Sequence, residues 1–149
     1  PAARAGLPSN LDAWDGYPAA RSRLLPAAQR AHADLVTLTG DTHNAWAFDL
    51  AEDGRPAGIE IAGQSVTSPG YEGYIKGVTD EARVTALRRS SPQLKWANTE
   101  DRGYVTVQFS PERVTANWHS VETIRARSLA LKNTHSMTAT RGRRVYDAA

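Results

Sequence analysis

Cysteine and long apolar runs are both missing from this sequence. None of the 149 residues is cysteine, so neither a disulfide framework nor a thiolate metal site can form. Any metal ion must therefore be bound by histidine, carboxylate, asparagine or backbone oxygen. No stretch approaches the roughly 20 uninterrupted apolar residues of a membrane-spanning helix, and we expect no membrane span.

An excess of charge of one sign is missing too. Eighteen Lys and Arg residues stand against sixteen Asp and Glu residues, giving a formal net charge of +2, which does not favour nucleic acid as a specific partner. The basic cluster Arg141, Arg143 and Arg144 is typical of a solvated tail. An apolar fraction of 40% with 23% charged residues indicates one globular domain.

Two helices are predicted from apolar spacing and from terminal signals. Pro18 suits the first turn of a helix, and Ala20, Leu24 and Ala28 follow it at helical spacing. Pro26 interrupts this face and is expected to kink or break the helix. A second helix is predicted over residues 79–89, where the first turn is acidic and the last turn is basic.

A sheet and a hairpin are predicted from the remaining pattern. The apolar run 35–39 lacks polar alternation, which predicts a strand buried on both faces, and two further strands are predicted at 45–50 and 58–62. Alternating residues from 104 to 118 surround a Pro-containing turn and predict an antiparallel hairpin. After Val121 the chain is polar and Arg-rich, and we expect its end to be loosely held.

The segment Gly-Asp-Thr-His-Asn at 40–44 directly follows the first predicted strand. Ligands of open α/β sheets gather beyond the carboxyl ends of strands. If the segment is extended, Asp41 and His43 project to one side and can share an iron, zinc or manganese ion, and the carboxylate alone also suits calcium. The same spacing also fits a turn capped by Asp41 beside a locally hydrogen-bonded His43. Spacing alone leaves both interpretations open, because even a catalytic zinc site takes three protein ligands.

The other histidines do not complete such a site from the sequence. His32 falls on the first predicted helix, His119 in the hairpin and His135 in the polar end, and each is expected to be structural or exposed. A Gly-rich phosphate loop, a Gly-x-Ser-x-Gly elbow and a His-Glu-x-x-His pair do not occur.

Four blocks of the sequence, in the same order, resemble the C-terminal part of PhoD-like alkaline phosphatases. They are Trp-Asp-Gly-Tyr-Pro-Ala-Ala-Arg at 14–21, Leu-Thr-Gly-Asp-Thr-His-Asn-Ala-Trp at 38–46, Ser-Val-Thr-Ser-Pro-Gly at 65–70, and the hairpin from Arg102 to His119. The resemblance covers nearly the whole chain.

The resemblance implies both a fold and an activity. The fold is α/β, the C-terminal part of the four-layer αββα metallophosphoesterase sandwich, closed by an antiparallel β-hairpin. The activity is hydrolysis of phosphomonoesters and phosphodiesters by a secreted or periplasmic enzyme. Because PhoD-like enzymes carry Gly-Asp-x-His, the resemblance implies that Asp41 and His43 bind divalent or trivalent metal ions, calcium and iron in this family. Asn44, next to these residues, is a candidate for a supporting role, and so is His119, for which a structural role in the hairpin is the alternative.

The other ligand blocks of the superfamily are absent from these residues. An Asp-rich strand end, a further Gly-Asp segment and an Asn-His pair supply most of its metal ligands. Residues 1–149 are therefore expected to be the C-terminal portion of a larger catalytic domain, with the N-terminal portion as its partner. The start at Pro1, without Met or a signal region, fits a processed chain or a piece of one. The missing ligands also leave open a non-catalytic β-rich binding or assembly module.

Overall fold

Residues 11–148 are described by a computed structural model, and they form two β-sheets with helices on one of them. A short 3-10 turn at Trp14–Gly16 precedes the regular elements. The helices are α1 (Pro18–Arg30), α2 (Tyr71–Tyr74) and α3 (Asp80–Ser90). The strands are β1 (Leu35–Thr39), β2 (Ala45–Glu52), β3 (Arg55–Ala62), β4 (Leu94–Asn98), β5 (Gly103–Phe109), β6 (Arg113–Val121) and β7 (Leu131–Thr140).

Helix α1 differs from its prediction in two respects. It begins at Pro18 as expected but continues through Pro26, so the predicted break there is wrong. Its buried residue is Leu25, 3% exposed, and not Leu24, which is 38% exposed. The reason is that Arg21 lies one turn before Leu25 on the same helix face, and its side chain donates to the Glu52 carboxylate of strand β2 at 2.6 Å. This contact turns the face of Leu25, and not that of Leu24, toward the sheet.

The first sheet has the strand order β1-β3-β2-β4. Strand β1 pairs with β3 in parallel, and the other two pairings are antiparallel. The prediction that β1 is buried on both faces is wrong, because β1 lies at the edge of the sheet, and Leu38 is 59% exposed. The central strands β2 and β3 are the buried ones.

The second sheet contains the predicted hairpin and one strand more. Strands β5 and β6 pair as the alternation predicted, with Trp118 buried and His119 on the opposite face. Strand β7 pairs with β6 along its whole length, so the expectation of a loosely held end is wrong. Tyr146 is buried, and its hydroxyl donates to the carbonyl oxygen of Glu60 at 3.0 Å. Burial raises the pKa of Tyr146.

The basic cluster near the C-terminus is also held in place. The carboxylate of Asp34, just before β1, accepts from the backbone N–H of Gly142 at 2.8 Å and lies 3.4 Å from the Arg144 guanidinium. The solvated-tail interpretation is therefore wrong for this part of the cluster.

The core lies between the two sheets. Its buried members are Ala45, Ala47, Ile59 and Ile61 of the first sheet with Val114, Ala116, Trp118 and Ala139 of the second. The other face of the first sheet carries a second cluster around Trp46 and Leu94, against which Val84 and Leu87 of α3 pack. The fold is thus mixed α/β. No helix within residues 11–148 is long and apolar enough to cross a membrane.

Candidate metal site at the end of strand β1

The loop 40–44 is tightly bent and not extended. Asp41 and His43 both have left-handed backbones, with φ of 67° and 61°, and Thr42 N–H donates to the carbonyl of Gly40 at 2.7 Å. The expectation of an extended segment is wrong, because the chain must turn within these residues to pass from edge strand β1 to central strand β2. Both candidate ligands therefore belong to one compact loop.

The imidazole of His43 is fixed by a backbone contact. Its Nδ1 lies 3.0 Å from the carbonyl oxygen of Pro69. Because a carbonyl oxygen can only accept, Nδ1 must carry the hydrogen, and the neutral ring then has its lone pair on Nε2. Histidines that bind metals usually donate their other ring N–H in this way. The Nε2 atom therefore has the lone pair that binding a cation requires.

The carboxylate of Asp41 is exposed and makes no hydrogen bond or ion pair with any other described residue. Carboxylate oxygen and neutral imidazole are a donor set that suits iron, zinc or manganese, and the carboxylate also suits calcium. Within residues 11–148, however, no group of three or more His, Cys, Asp or Glu side chains is placed to hold a metal ion. The loop fits a metal by donor chemistry and offers two candidate ligands.

The side chain of Asn44 stabilises the loop through two hydrogen bonds. It is fully buried, its amide nitrogen donates to the carbonyl of Thr42 at 2.5 Å, and its amide oxygen accepts from the backbone N–H of Tyr71 at 3.0 Å. Trp46 donates its indole N–H to the hydroxyl of Thr42 at 2.6 Å. The side chain of Asn44 therefore joins the loop 40–44 to the segment around Gly70.

His119 lies on the outer face of the second sheet. Its Nε2 is 3.0 Å from the Thr106 hydroxyl, and its Nδ1 is 3.0 Å from the Thr134 hydroxyl. The ring stacks on Tyr104, with centroids 4.8 Å apart. Both ring nitrogens are engaged by hydroxyl groups of the same sheet, so His119 offers no free nitrogen to a ligand in this arrangement.

Two charged residues that the sequence patterns did not single out lie next to the site. Glu72 accepts from the backbone N–H of Gly70 at 3.0 Å and forms an ion pair with Arg102. Arg102 lies within a block of the family resemblance, but nothing in the local pattern indicates its partner, which is 30 residues away. Only the folded chain brings the two together.

Comparison with known proteins identifies the class to which this arrangement belongs. A family model described as PhoD-like phosphatase matches residues 1–118. Alkaline phosphatase D of Bacillus subtilis (strain 168) is 31% identical over 115 residues, which are 73% of this chain and 19% of that relative. The solved structure described as "Structure of PhoD" matches with a TM-score of 0.76 and 25% identity, over 93% of this chain and 26% of that one.

These matches define a phosphatase fold. The chain belongs to the PhoD-like phosphatase family, which confirms the resemblance stated from the sequence. It spans about a fifth (19%) of the length of the curated relative that it matches.

Proposed function

We propose that this chain is part of a metal-dependent phosphoesterase, in which Asp41 and His43 bind metal ions at the end of strand β1. The observation that carries the proposal is the 3.0 Å contact between His43 Nδ1 and the Pro69 carbonyl, because it leaves Nε2 as the lone-pair nitrogen. The substrate class is phosphomonoesters and phosphodiesters, as the family membership suggests. A secreted or periplasmic location belongs to the same proposal.

The chain's own residues would do two things in this reaction. His43 Nε2 and the Asp41 carboxylate would hold a divalent or trivalent ion, calcium or iron. Asn44 would keep the loop rigid through its two amide contacts. When bound, such ions lower the pKa of a coordinated water and stabilise charge on the transferring phosphoryl group.

The proposal includes a larger catalytic domain. Two ligands leave most of an ion's coordination to water, and a catalytic site needs more protein donors. We propose that residues 1–149 are the C-terminal portion of a four-layer αββα domain and that the N-terminal portion supplies the remaining ligands. The share of the curated relative that the chain spans, 19%, supports this arrangement.

A second candidate is a non-catalytic β-rich binding or assembly module. The observation in its favour is the count of two candidate ligands in a described chain that holds no group of three. The two candidates differ in one measurable respect, because only a phosphoesterase couples metal binding to turnover.

The test uses Asp41→Asn and His43→Ala in a protein that contains this sequence within a complete catalytic domain. Each variant should lose metal content and should lose p-nitrophenyl phosphate hydrolysis by more than the roughly 10–100-fold that outer-shell changes cost. Circular dichroism should show an unchanged fold. His119→Ala is the matched control and should retain both metal and activity. Full activity in both loop variants would refute the ligand assignment, and metal binding without turnover in the unaltered protein would favour the module.

A further inference from the structure

The peptide unit that joins Pro69 to Gly70 forms a hydrogen bond through its carbonyl oxygen and another through its N–H. Its carbonyl oxygen accepts from Nδ1 of His43 at 3.0 Å. Its N–H donates to Glu72 Oε2, also at 3.0 Å. A trans peptide is planar, and no cis peptide occurs among the described residues. The carboxylate that fixes the N–H therefore also fixes the direction of the carbonyl that orients the histidine.

The carboxylate of Glu72 is itself fixed by Arg102. The guanidinium pairs with Glu72 Oε1 and also donates from Nη1 to the backbone carbonyls of Glu100 and Asp101, at 2.9 and 3.1 Å. Only 8% of the Arg102 side chain is exposed, and the Glu72 side chain is 27% exposed. The connection between strands β4 and β5 thus anchors the guanidinium, which anchors the carboxylate.

Gly70 lies too close to its neighbours to carry a side chain. A Cβ atom added to Gly70 would lie 2.4 Å from Asn44 Oδ1, 3.1 Å from Glu72 Oε2 and 3.1 Å from the carbonyl oxygen of His43. The backbone at Gly70 therefore packs directly against the loop that carries both candidate ligands.

We propose that Glu72 and Arg102 are positioning residues, which orient the imidazole of His43 through the Pro69–Gly70 peptide. The inference rests on the proposed function of His43 as a metal ligand. The ion pair polarises the peptide, and successive hydrogen bonds strengthen one another in a site of low dielectric. A carbonyl polarised in this way holds the Nδ1–H tautomer and makes Nε2 a better donor to a cation.

The first measurement is the tautomer of His43, read from ¹⁵N chemical shifts of the imidazole at about pH 8.5, two units above the ordinary histidine pKa. The protein has four histidines, and His43→Gln assigns the signal. In the unaltered protein we expect the Nδ1–H form to dominate. Glu72→Ala should lower the ratio of the two tautomers by about fivefold, the factor that corresponds to one ordinary hydrogen bond.

Four further variants separate positioning from a general loss of structure. Glu72→Gln keeps the side-chain shape and an acceptor oxygen, and should lower the ratio by about two- to threefold, as expected when only the charge assistance of a hydrogen bond is lost. Arg102→Lys should retain more of the ratio than Arg102→Met. Glu52→Gln is the matched control, because Glu52 on strand β2 forms a similar ion pair, with Arg21 of helix α1 at 2.6 Å. This variant should leave the tautomer ratio unchanged. The indole N–H signal of Trp118 reports folding in the same samples.

A second measurement distinguishes this inference from the proposed function. In a complete catalytic domain that contains this sequence, calorimetric titration with Zn²⁺ should show binding that weakens about tenfold in Glu72→Gln, at the low end for outer-shell partners of a ligating histidine. A ratio that depends on Glu72 without any Zn²⁺ binding would support the positioning role and refute the proposed metal site. An unchanged ratio in folded Glu72→Gln and Glu72→Ala would overturn the inference, and equal Zn²⁺ binding in those variants would leave the metal site intact.

Discussion

Trp118 donates its indole Nε1–H to the backbone carbonyl of Ala62, at 2.9 Å, from one sheet to the other. Trp118 is 1% exposed, and its ring also lies 4.9 Å from that of Trp96 on strand β4. Ala62 is the last residue of β3, from which the chain continues toward Gly70. The hairpin therefore does more than close the core, because it fixes the strand end that leads to the candidate site.

Replacing Trp118 with Ala should lower the free energy of unfolding by about 3–5 kcal/mol, the usual cost of removing a large buried aromatic ring. His119→Ala should cost much less, because His119 lies on the outer face of the same strand. Urea unfolding of both variants measures the difference. A larger loss in His119→Ala than in Trp118→Ala would mean that the inward and outward faces of β6 are reversed.

Asn44→Ala should destabilise the protein by about 1–3 kcal/mol, because it removes the partners of Thr42 O and Tyr71 N around a fully buried side chain. Asn117→Ala is the control, since Asn117 accepts from the Ser136 hydroxyl at an exposed contact, and it should change stability by less than about 0.5 kcal/mol. Thermal unfolding of the pair tests this. Equal losses would show that the contacts of Asn44 do not contribute specially.

His135 should make the protein less stable in mild acid. Its ring stacks on Trp96 with centroids 4.2 Å apart and an interplanar angle of 8°, and burial lowers its pKa below the ordinary histidine value of about 6.5. Below about pH 6.5 the unfolded chain takes up this proton more readily than the folded chain, so stability falls as the pH falls. The stability present at pH 7.5 should thus decline toward pH 5.

His135→Phe keeps a ring in the stack and removes the titrating group. The variant should therefore lose less stability between pH 7.5 and pH 5 than the unaltered protein, as measured by urea unfolding at both pH values. The other three histidines are present in both proteins, so the difference isolates His135. An equal or smaller acid loss in the unaltered protein would mean that cation–π attraction to Trp96 offsets the effect of burial.

Residues 1–149 alone should show no significant phosphatase activity, and adding the N-terminal portion of the enzyme should restore it. In the proposed site Asp41 and His43 would supply two ligands, which would leave a bridging nucleophile poorly placed. Strand β1 also has an unpaired edge within the described chain, which invites association. Hydrolysis of p-nitrophenyl phosphate by the 149-residue chain at the rate of the complete enzyme, abolished by a chelator, would contradict this expectation.

The hairpin and the existence of strand β1 were predictable from the sequence, and the edge position of β1 was not. The alternation of apolar and polar residues around Trp118 predicts which side chains of β6 face the core, since one face of β6 is buried and the other is not. The apolar run of β1 has no such alternation, and its exposure depends on β3 being its one partner among the described strands. Strand β7 was missed because its residues are mostly polar and exposed. It is a strand because β6 offers a partner along its length.

The candidate site, too, could be predicted from the sequence only in part. Asp41 and His43 stand in one short motif whose residue types already suggest a metal ion. Glu72 and Arg102 are 30 residues apart, and each alone is an ordinary charged residue. Their relation to His43 runs through a backbone peptide, which no pattern of side chains in the sequence displays.

At Asp41 and His43 the backbone is left-handed, a conformation that lowers the stability of the loop, and these are also its two candidate metal ligands. A residue with a Cβ atom loses about 1 kcal/mol or more in that conformation, and glycine loses none. Glycine adopts this conformation without strain, and the sequence has a carboxylate and an imidazole at the two positions instead. Attempts to raise the melting temperature by introducing glycine in this loop would thus improve the fold by removing the groups that give the loop its chemistry.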